Sequence, residues 1–493
     1  MNELEATISQ VIDENNISFE WGKEVLNELK HAELDLNSKR KDLTRAPFIT
    51  IDGSDAKDFD DAIHCIYSKS SFTLSVAIAD VAELVQPGTA LDDEALNRGT
   101  SIYFPSKVIP MLPEEISNDL CSLVPNQIRN VVVCEITFSE IGEIQNYNFF
   151  EARIQSHKRM TYAEVDKFLA AGSGLESNIS NSIKSLHKLT KVLLKIRGKR
   201  GALEIESQEP LLDINVEGKV KKIILPERLF SHRMVEESML AANVCAANFM
   251  NKHYNFGVYR IHEEPDELKL ESLKKFFSLK GFSGSFSKDP ANLIKQCLLH
   301  SRDNKLNKAL QTVVLQSLKR AEYSTEELGH FGLQLQRYSH FTSPIRRYPD
   351  LMTHRMIKNI LNNSSNATNK DNIEEICIDM SGLERVAEKS SRQVTQQMIC
   401  FFLKKHIGEE VNAVVTGVAE FGLFAEIQDF YVSGLIHVSD LSGDRYFLDK
   451  ESNVLKGRKT GKSYKLGQSM LVTIANVLPE ERKITLVPKN NKR

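Results

Sequence analysis

Five aspartates fall within ten residues: Asp52, Asp55, Asp58, Asp60 and Asp61, in the segment Ile51-Asp52-Gly53-Ser54-Asp55-Ala56-Lys57-Asp58-Phe59-Asp60-Asp61. A helix cannot present positions i, i+2 and i+3 on one face, so the segment reads as a loop following a strand. Carboxylates brought within a few ångströms repel one another unless a cation neutralises them. Oxygen donors of this kind select Mg²⁺, Mn²⁺ or Ca²⁺ over zinc. The spacing is not that of an EF-hand, because no glycine sits at its turn position and no Glu closes a twelve-residue loop. The alternative is a solvated, acid-rich surface loop. Against it stand the apolar Ile51, Phe59, Ala62 and Ile63, which draw the segment inward.

A second dense segment is His340-Phe341-Thr342-Ser343-Pro344-Ile345-Arg346-Arg347-Tyr348-Pro349-Asp350-Leu351. Its prolines and Thr-Ser predict a turn before a helix from Asp350 to Leu361. Planar guanidinium groups there would meet phosphate oxygens bidentately. Two arginines in a loop are a weak signal alone. Joined to metal-binding carboxylates, they are the equipment for in-line phosphodiester hydrolysis.

The elements that must position these groups follow from the pattern of the chain. Its 493 residues allow about three domains, or one large and one small, and its composition (41% hydrophobic, 26% charged) excludes collagen-like and largely disordered classes. Residues 1–46 read as a helical lead-in, with Ile17, Phe19, Trp21, Val25 and Leu29 at roughly helical spacing. From Pro47 to about Phe138 short β-branched strands dominate, among them Phe48–Ile51, Phe72–Ala79 and Val131–Phe138. Helical patterns follow over Ser180–Arg197, Arg233–Lys252, Pro265–Leu279, Lys305–Glu322 and Asn372–Lys405. Strands followed by helices predict an α+β body over 47–406.

The texture changes again near Ile407. Over 407–490, five short alternating strands (VNAVVTGV, GLFAEI, SGLIHV, SMLVTIANV and RKITLV) predict a small all-β barrel of the OB kind. Phe421, Phe424 and His437 are its candidate binding-face residues, since rings on a barrel face stack on unpaired bases. They could equally fill the barrel core. Net charge is 63 − 66 = −3, but residues 450–493 hold 11 basic and 3 acidic side chains, a surplus of +8 that leaves −11 on the rest. A basic end on an acidic body suits a polyanion-gripping tail.

Four segments then resemble the signatures of the RNB family of processive 3′→5′ exoribonucleases: Thr50–Ile63 (TIDGSDAKDFDDAI), Gly99–Leu123 (GTSIYFPSKVIPMLPEEISNDLCSL), Val235–Ala247 (VEESMLAANVCAA) and His340–Leu351 (HFTSPIRRYPDL). Gly417–Leu441 resembles the S1-type RNA-binding domain that follows the catalytic body in that family. The resemblance implies that Asp52, Asp58, Asp60 and Asp61 hold two Mg²⁺ ions, Mn²⁺ being able to substitute, and that Asp60 serves cleavage rather than RNA binding. It implies that Tyr103 stacks near the 3′-terminal nucleotides, that Arg346 stabilises charge on the phosphoryl group, and that Glu388 belongs to the same site. Arg347 and Glu237 are expected along the RNA path, although Glu236 and Glu237 fit a helix face equally well. Ile205 stands where the family pattern has a phenylalanine opposing the tyrosine, so the clamp is expected to be one-sided. Only about 45 residues precede Pro47, where family members carry two cold-shock domains; the expectation is a chain without them, or a fragment.

The resemblance implies hydrolysis of single-stranded RNA from its 3′ end to nucleoside 5′-monophosphates, in RNA turnover. The expected protein is a cytoplasmic monomer with no small-molecule cofactor and no membrane partner. Seven scattered cysteines, the absence of an apolar stretch near the start and the absence of any run of 18 apolar residues accord with that. A catalytically silent RNA-binding protein on the same fold is the competing reading, and the presence of all four aspartates and the arginine speaks against it.

Overall fold

The computed structural model describes residues 2–204, 210–302, 307–364, 369–441, 443–449 and 453–489. The aspartate-rich loop hangs from a seven-stranded sheet, in the order Lys41–Asp42, Ile144–Gln155, Ile128–Ser139, Ser71–Ala79, Asp61–Ser68, Ile49–Asp52, Lys158–Thr161. Its interior is an antiparallel meander, whereas the two edge pairings are parallel. The strand Ser71–Ala79 is buried along most of its length, as expected of a central strand covered on both faces. The helix Ser177–Arg200 packs on Asp61–Ser68, where Ser182 Oγ accepts from the Cys65 amide at 3.0 Å. The helix Phe230–Tyr254 packs on the central strands, and Tyr348–Leu361 packs on that helix. One large core joins these elements.

Local chemistry explains several boundaries. Thr161 and Glu164 form a capping box at the start of Tyr162–Ala171, and Asn2 and Glu5 do the same for Glu3–Asn15. Pro349 sits in the first turn of Tyr348–Leu361, where its missing N–H costs nothing.

Of the lead-in residues expected at helical spacing, Val25 and Leu29 lie in a helix, whereas Ile17, Phe19 and Trp21 do not. Helices run over Glu3–Asn15 and Lys23–Leu29, and Asn16, at φ 51°, ends the first in a left-handed cap. Leu4, Ile8, Val11 and Ile12 of the first helix share one core with Val394, Met398 and Leu403 of the long helix Lys370–Leu403 and with the barrel interior. The lead-in is therefore the joint between body and barrel. Its sequence begins the sheet as well, through Lys41–Asp42.

The five anticipated barrel strands all form and close, in the order Glu410–Ala419, Gly422–Ile427, Val432–His437, Lys483–Pro488, Ser469–Leu478. Between the third and fourth strands of the chain order lies an additional three-stranded sheet, Tyr446–Asp449, Val454–Gly457 and Ser463–Lys465, which the alternation did not reveal. Helices Glu267–Leu279, Pro290–Arg302 and Asn307–Ser317 form an arm with its own core, into which Leu466 of the barrel domain inserts. All seven cysteines are free and buried. Among the described residues no helix is long and apolar enough to cross a membrane.

Candidate active site and nucleic-acid interface

Asp52 is the last residue of one strand and Asp61 the first of the next, so the segment between them is a loop whose two ends are fixed by the sheet. Three anchors shape it. Ser122 Oγ accepts from the Phe59 amide at 3.0 Å and donates to Lys57 O at 2.7 Å, and the Leu123 amide donates to Phe59 O at 3.0 Å. From the other side, Arg159 Nη2 donates to the carbonyls of Gly53, Ser54 and Ala56 at 3.1, 2.7 and 3.2 Å. The Arg159 guanidinium also lies 5.0 Å from the centre of the Phe59 ring. Phe59 itself is buried, which confirms the inward pull expected from the apolar residues flanking the loop.

The loop meets the second motif at Asp60. Asp60 is buried, accepts from the Ile345 amide at 2.9 Å and lies 3.4 Å from Arg346 Nε. The Tyr103 hydroxyl donates to Asp58 Oδ2 at 3.0 Å, and Ser101 and Thr100 tie the tyrosine's strand to Arg346 O. Burial pushes the Asp60 carboxyl up to about 8 and, with the neighbouring charge of Asp58, pushes Asp52 up to about 6. Burial and the charges of Asp52 and Asp60 drive Asp61 well above its ordinary value. Asp52, Asp60 and Asp61 thus resist ionising where they are buried, the condition a cation would relieve.

Whether this set suits a metal ion is decided by its donors. They are all oxygens, and Asp52 Oδ2 is buried without a hydrogen-bond partner. Asp58 and Asp60 are held by Tyr103 and Arg346, and among the described residues no three acidic, His or Cys side chains converge into a ready-made ligand cluster. The donor chemistry, oxygens alone with one buried and unpartnered, fits a hard divalent cation.

Arg346, Tyr103 and Glu388 line one cleft of about 830 Å³, whose far wall is Tyr431, Val432 and Ser433 of the barrel. Glu388 is exposed on the long helix Lys370–Leu403, one turn from Glu384, which pairs with Arg260 at 2.7 Å. Phe421 and Phe424 are 50% and 40% exposed, with ring centroids 6.0 Å apart and perpendicular. They do not fill the barrel core. His437 stands opposite Gly422 in register, diagonal to Phe424 on the same exposed face. Gly422 is required there, because a Cβ would fall 2.2 Å from Ile436 O.

Two expectations need correction. Arg347 borders the cleft, but its guanidinium is engaged by Asp350 in a bidentate pair, both contacts at 2.7 Å. The Asp350 side chain is wholly buried, so this arginine locks the motif to its helix rather than offering a free fork to RNA. Glu237 is 6% exposed and accepts from Arg197 at 2.7 Å, so its carboxylate is neutralised inside the protein. Ile205 lies outside the described residues. Sequence reading missed Arg159, Ser122 and Tyr162, whose hydroxyl is pushed up by burial and by the charges of Asp52 and Asp61. Arg159 comes from the edge strand Lys158–Thr161, a hundred residues away in sequence, and no spacing rule connects it to the loop.

The RNB domain model matches residues 40–363, and the S1 RNA binding domain model matches 404–487. The chain belongs to the RNB family. Similar RNB proteins include Ribonuclease R of Vibrio parahaemolyticus, 38% identical over 95% of this chain and 59% of that protein. Ribonuclease R of Escherichia coli is 40% identical over 90% of this chain and 57% of that protein. The chain thus spans less than two thirds of the length of these relatives. Among solved structures, Mycoplasma genitalium RNase R in complex with ribose methylated single-stranded RNA superposes with a TM-score of 0.94 at 30% identity, covering 99% of this chain and 78% of that one.

Proposed function

We propose that this RNB protein is a 3′→5′ exoribonuclease that hydrolyses single-stranded RNA to nucleoside 5′-monophosphates. The observation that carries the reading is the meeting of Asp60, Arg346, Tyr103 and Asp58 at one end of a cleft walled by the RNA-binding barrel. The relatives named Ribonuclease R and the RNA-bound structure support the same substrate class.

Asp52, Asp58, Asp60 and Asp61 would hold two Mg²⁺ ions, with Mn²⁺ as a substitute. Bound there, the ions supply Lewis acidity at the scissile phosphate and an activated water. Arg346 is positioned to follow the phosphoryl oxygens as negative charge builds on them. Its Nη2 donates to Ser343 Oγ at 3.0 Å, which fixes the plane of the guanidinium. Tyr103, anchored through its hydroxyl, presents its ring for stacking on a base near the 3′ end. Glu388 lies across the same cleft and orients the terminal nucleotide. Buried Asp60, pinned by a backbone amide, keeps the loop and the arginine in register. Phe421, Phe424 and His437 extend the stacking surface upstream along the strand.

Purified protein with 5′-labelled single-stranded RNA, in Mg²⁺ and in EDTA, tests the reading on a gel. A ladder shortening from the 3′ end only with Mg²⁺, and release of 5′-monophosphates, is expected. RNA binding without any shortening would refute hydrolysis and leave a silent RNA-binding protein.

A further inference from the structure

We propose that the outer face of the helix Ser177–Arg200 is a second contact surface for RNA backbone, outside the catalytic cleft; the inference rests on the reading of that cleft as an RNA site. Lys184, Lys188, Lys191, Lys195 and Lys199 recur at intervals of four, three, four and four. At 3.6 residues per turn these positions form one stripe, roughly 22 Å long at 1.5 Å per residue. All five lysines are exposed. The 24-residue helix contains no acidic residue. Among its described basic side chains, ion pairs are confined to Arg197, which meets Glu236 and Glu237 on the inner side.

Ordinary helix solvation does not produce this pattern. The helix Lys370–Leu403, also exposed along one side, carries Asp371, Glu375 and Asp379 in its N-terminal half and sets Glu384 and Glu388 among Arg385, Lys389 and Arg392. Like charges at these spacings weaken a helix. The helix dipole favours Lys195 and Lys199 near the C-terminus, but it offers nothing to Lys184 and Lys188 in the N-terminal half. Nor is the stripe part of a generally basic surface, since residues 1–449 carry a net charge of −11.

Beside the stripe lies a shallow cavity of about 330 Å³, lined by Tyr67, Phe72, Glu140, Lys188, Lys191 and Val192. Lys188 Nζ stands 5.2 Å from the centre of the Tyr67 ring. The rim is mixed, because Glu140 accepts from the Tyr67 hydroxyl beside Lys188 and Lys191, so the cavity offers an apolar floor for a sugar while the phosphate contacts fall to the lysines of the stripe. A linear row of single charges without a broad apolar centre suits a phosphate backbone rather than a protein partner, whose interface would be built around buried apolar anchors.

The test is binding in EDTA of a long single-stranded RNA and of a short oligonucleotide that fills only the cleft, across a salt series. The variant is K184Q/K188Q/K191Q, with Lys→Arg at the same positions as the charge-retaining control. Loss of three phosphate contacts should lower long-RNA affinity about tenfold or more and reduce the salt slope by about 2, at roughly 0.7 per contact. The short oligonucleotide should bind as before, the Arg variant should match wild type, and thermal unfolding should report an intact fold. Wild-type binding of long RNA by the Gln variant at every salt concentration overturns the stripe alone. Failure of the wild-type protein to retain either RNA overturns the cleft reading and the stripe with it.

Discussion

Replacing Asp60 by Asn should stabilise the metal-free fold at alkaline pH while removing hydrolysis, and both effects originate in one carboxyl group. Burial pushes this group up to about 8, with the charge of Arg346 and the Ile345 amide opposing the shift. In the unfolded chain an aspartate titrates near 3.9. Between pH 5 and pH 8 the unfolded chain has therefore released a proton that the folded protein retains. Stability falls as pH rises through that window, by about 1.4 kcal/mol per pH unit, or roughly 4 kcal/mol over three units. Asparagine carries no such proton, and its Oδ1 can still accept from the Ile345 amide, so the variant lacks this slope. Urea unfolding in EDTA at pH 5 and pH 8 measures the difference directly. Hydrolysis of 5′-labelled RNA should meanwhile fall by about a thousandfold or more, a loss of about 4 kcal/mol in transition-state stabilisation. Parallel pH dependences for the two proteins would refute the electrostatic reasoning. Cleavage within about tenfold of wild type would refute the assignment of Asp60 to the reaction.

Other substitutions separate chemistry, loop support and binding. Arg346→Ala should lower kcat by about 10²–10³ with a smaller effect on RNA affinity, as expected for a group that acts on developing charge; single-turnover and binding measurements distinguish the two. Arg159→Ala removes three hydrogen bonds to loop carbonyls, so the Mg²⁺ concentration for half-maximal rate should rise and stability should fall by about 2 kcal/mol; a metal titration and a melt check both. Arg347→Ala leaves the buried Asp350 carboxylate without its cation and should cost about 3–5 kcal/mol in a denaturation curve. Phe421→Ala and Phe424→Ala should each weaken RNA binding by about 1–3 kcal/mol, read by fluorescence anisotropy, without altering cleavage of an oligonucleotide confined to the cleft. These substitutions are cleaner than removal of the barrel, which would expose the apolar sides of Glu3–Asn15 and Lys370–Leu403.

The aspartate-rich loop was legible because its signal is local. Five carboxylates with Ile51 and Phe59 cannot be an ordinary helix face, and the structure places them in a strand-to-strand loop that Phe59 and Asp60 tie into the core while Asp55 stays exposed. The barrel was legible for the same reason, since alternation with a period of two marks each strand separately. The inserted sheet of Tyr446–Asp449, Val454–Gly457 and Ser463–Lys465 escaped because its strands are only three or four residues long and lie among charged residues. The break at Asn16 escaped because apolar residues continue past it, and only the left-handed cap geometry divides them.

The sequence by itself determined which groups exist to do chemistry: five aspartates within ten residues, an Arg-Arg turn before a helix, and aromatic rings in a strand-rich C-terminal segment, whose exposure only the fold decided. What each charged group is free to do was decided by tertiary structure. Arg346 and Arg347 are adjacent in sequence and alike in charge, yet one reaches Asp60 in the cleft and the other is consumed by a wholly buried Asp350. Glu237 and Glu388 are both helix-borne glutamates, yet Arg197 neutralises the first and the second stays exposed on the cleft wall. Local spacing records how side chains are arranged along one element. Desolvation and pairing depend on partners contributed by distant segments, and those partners decide whether a charge is structural or available to a substrate.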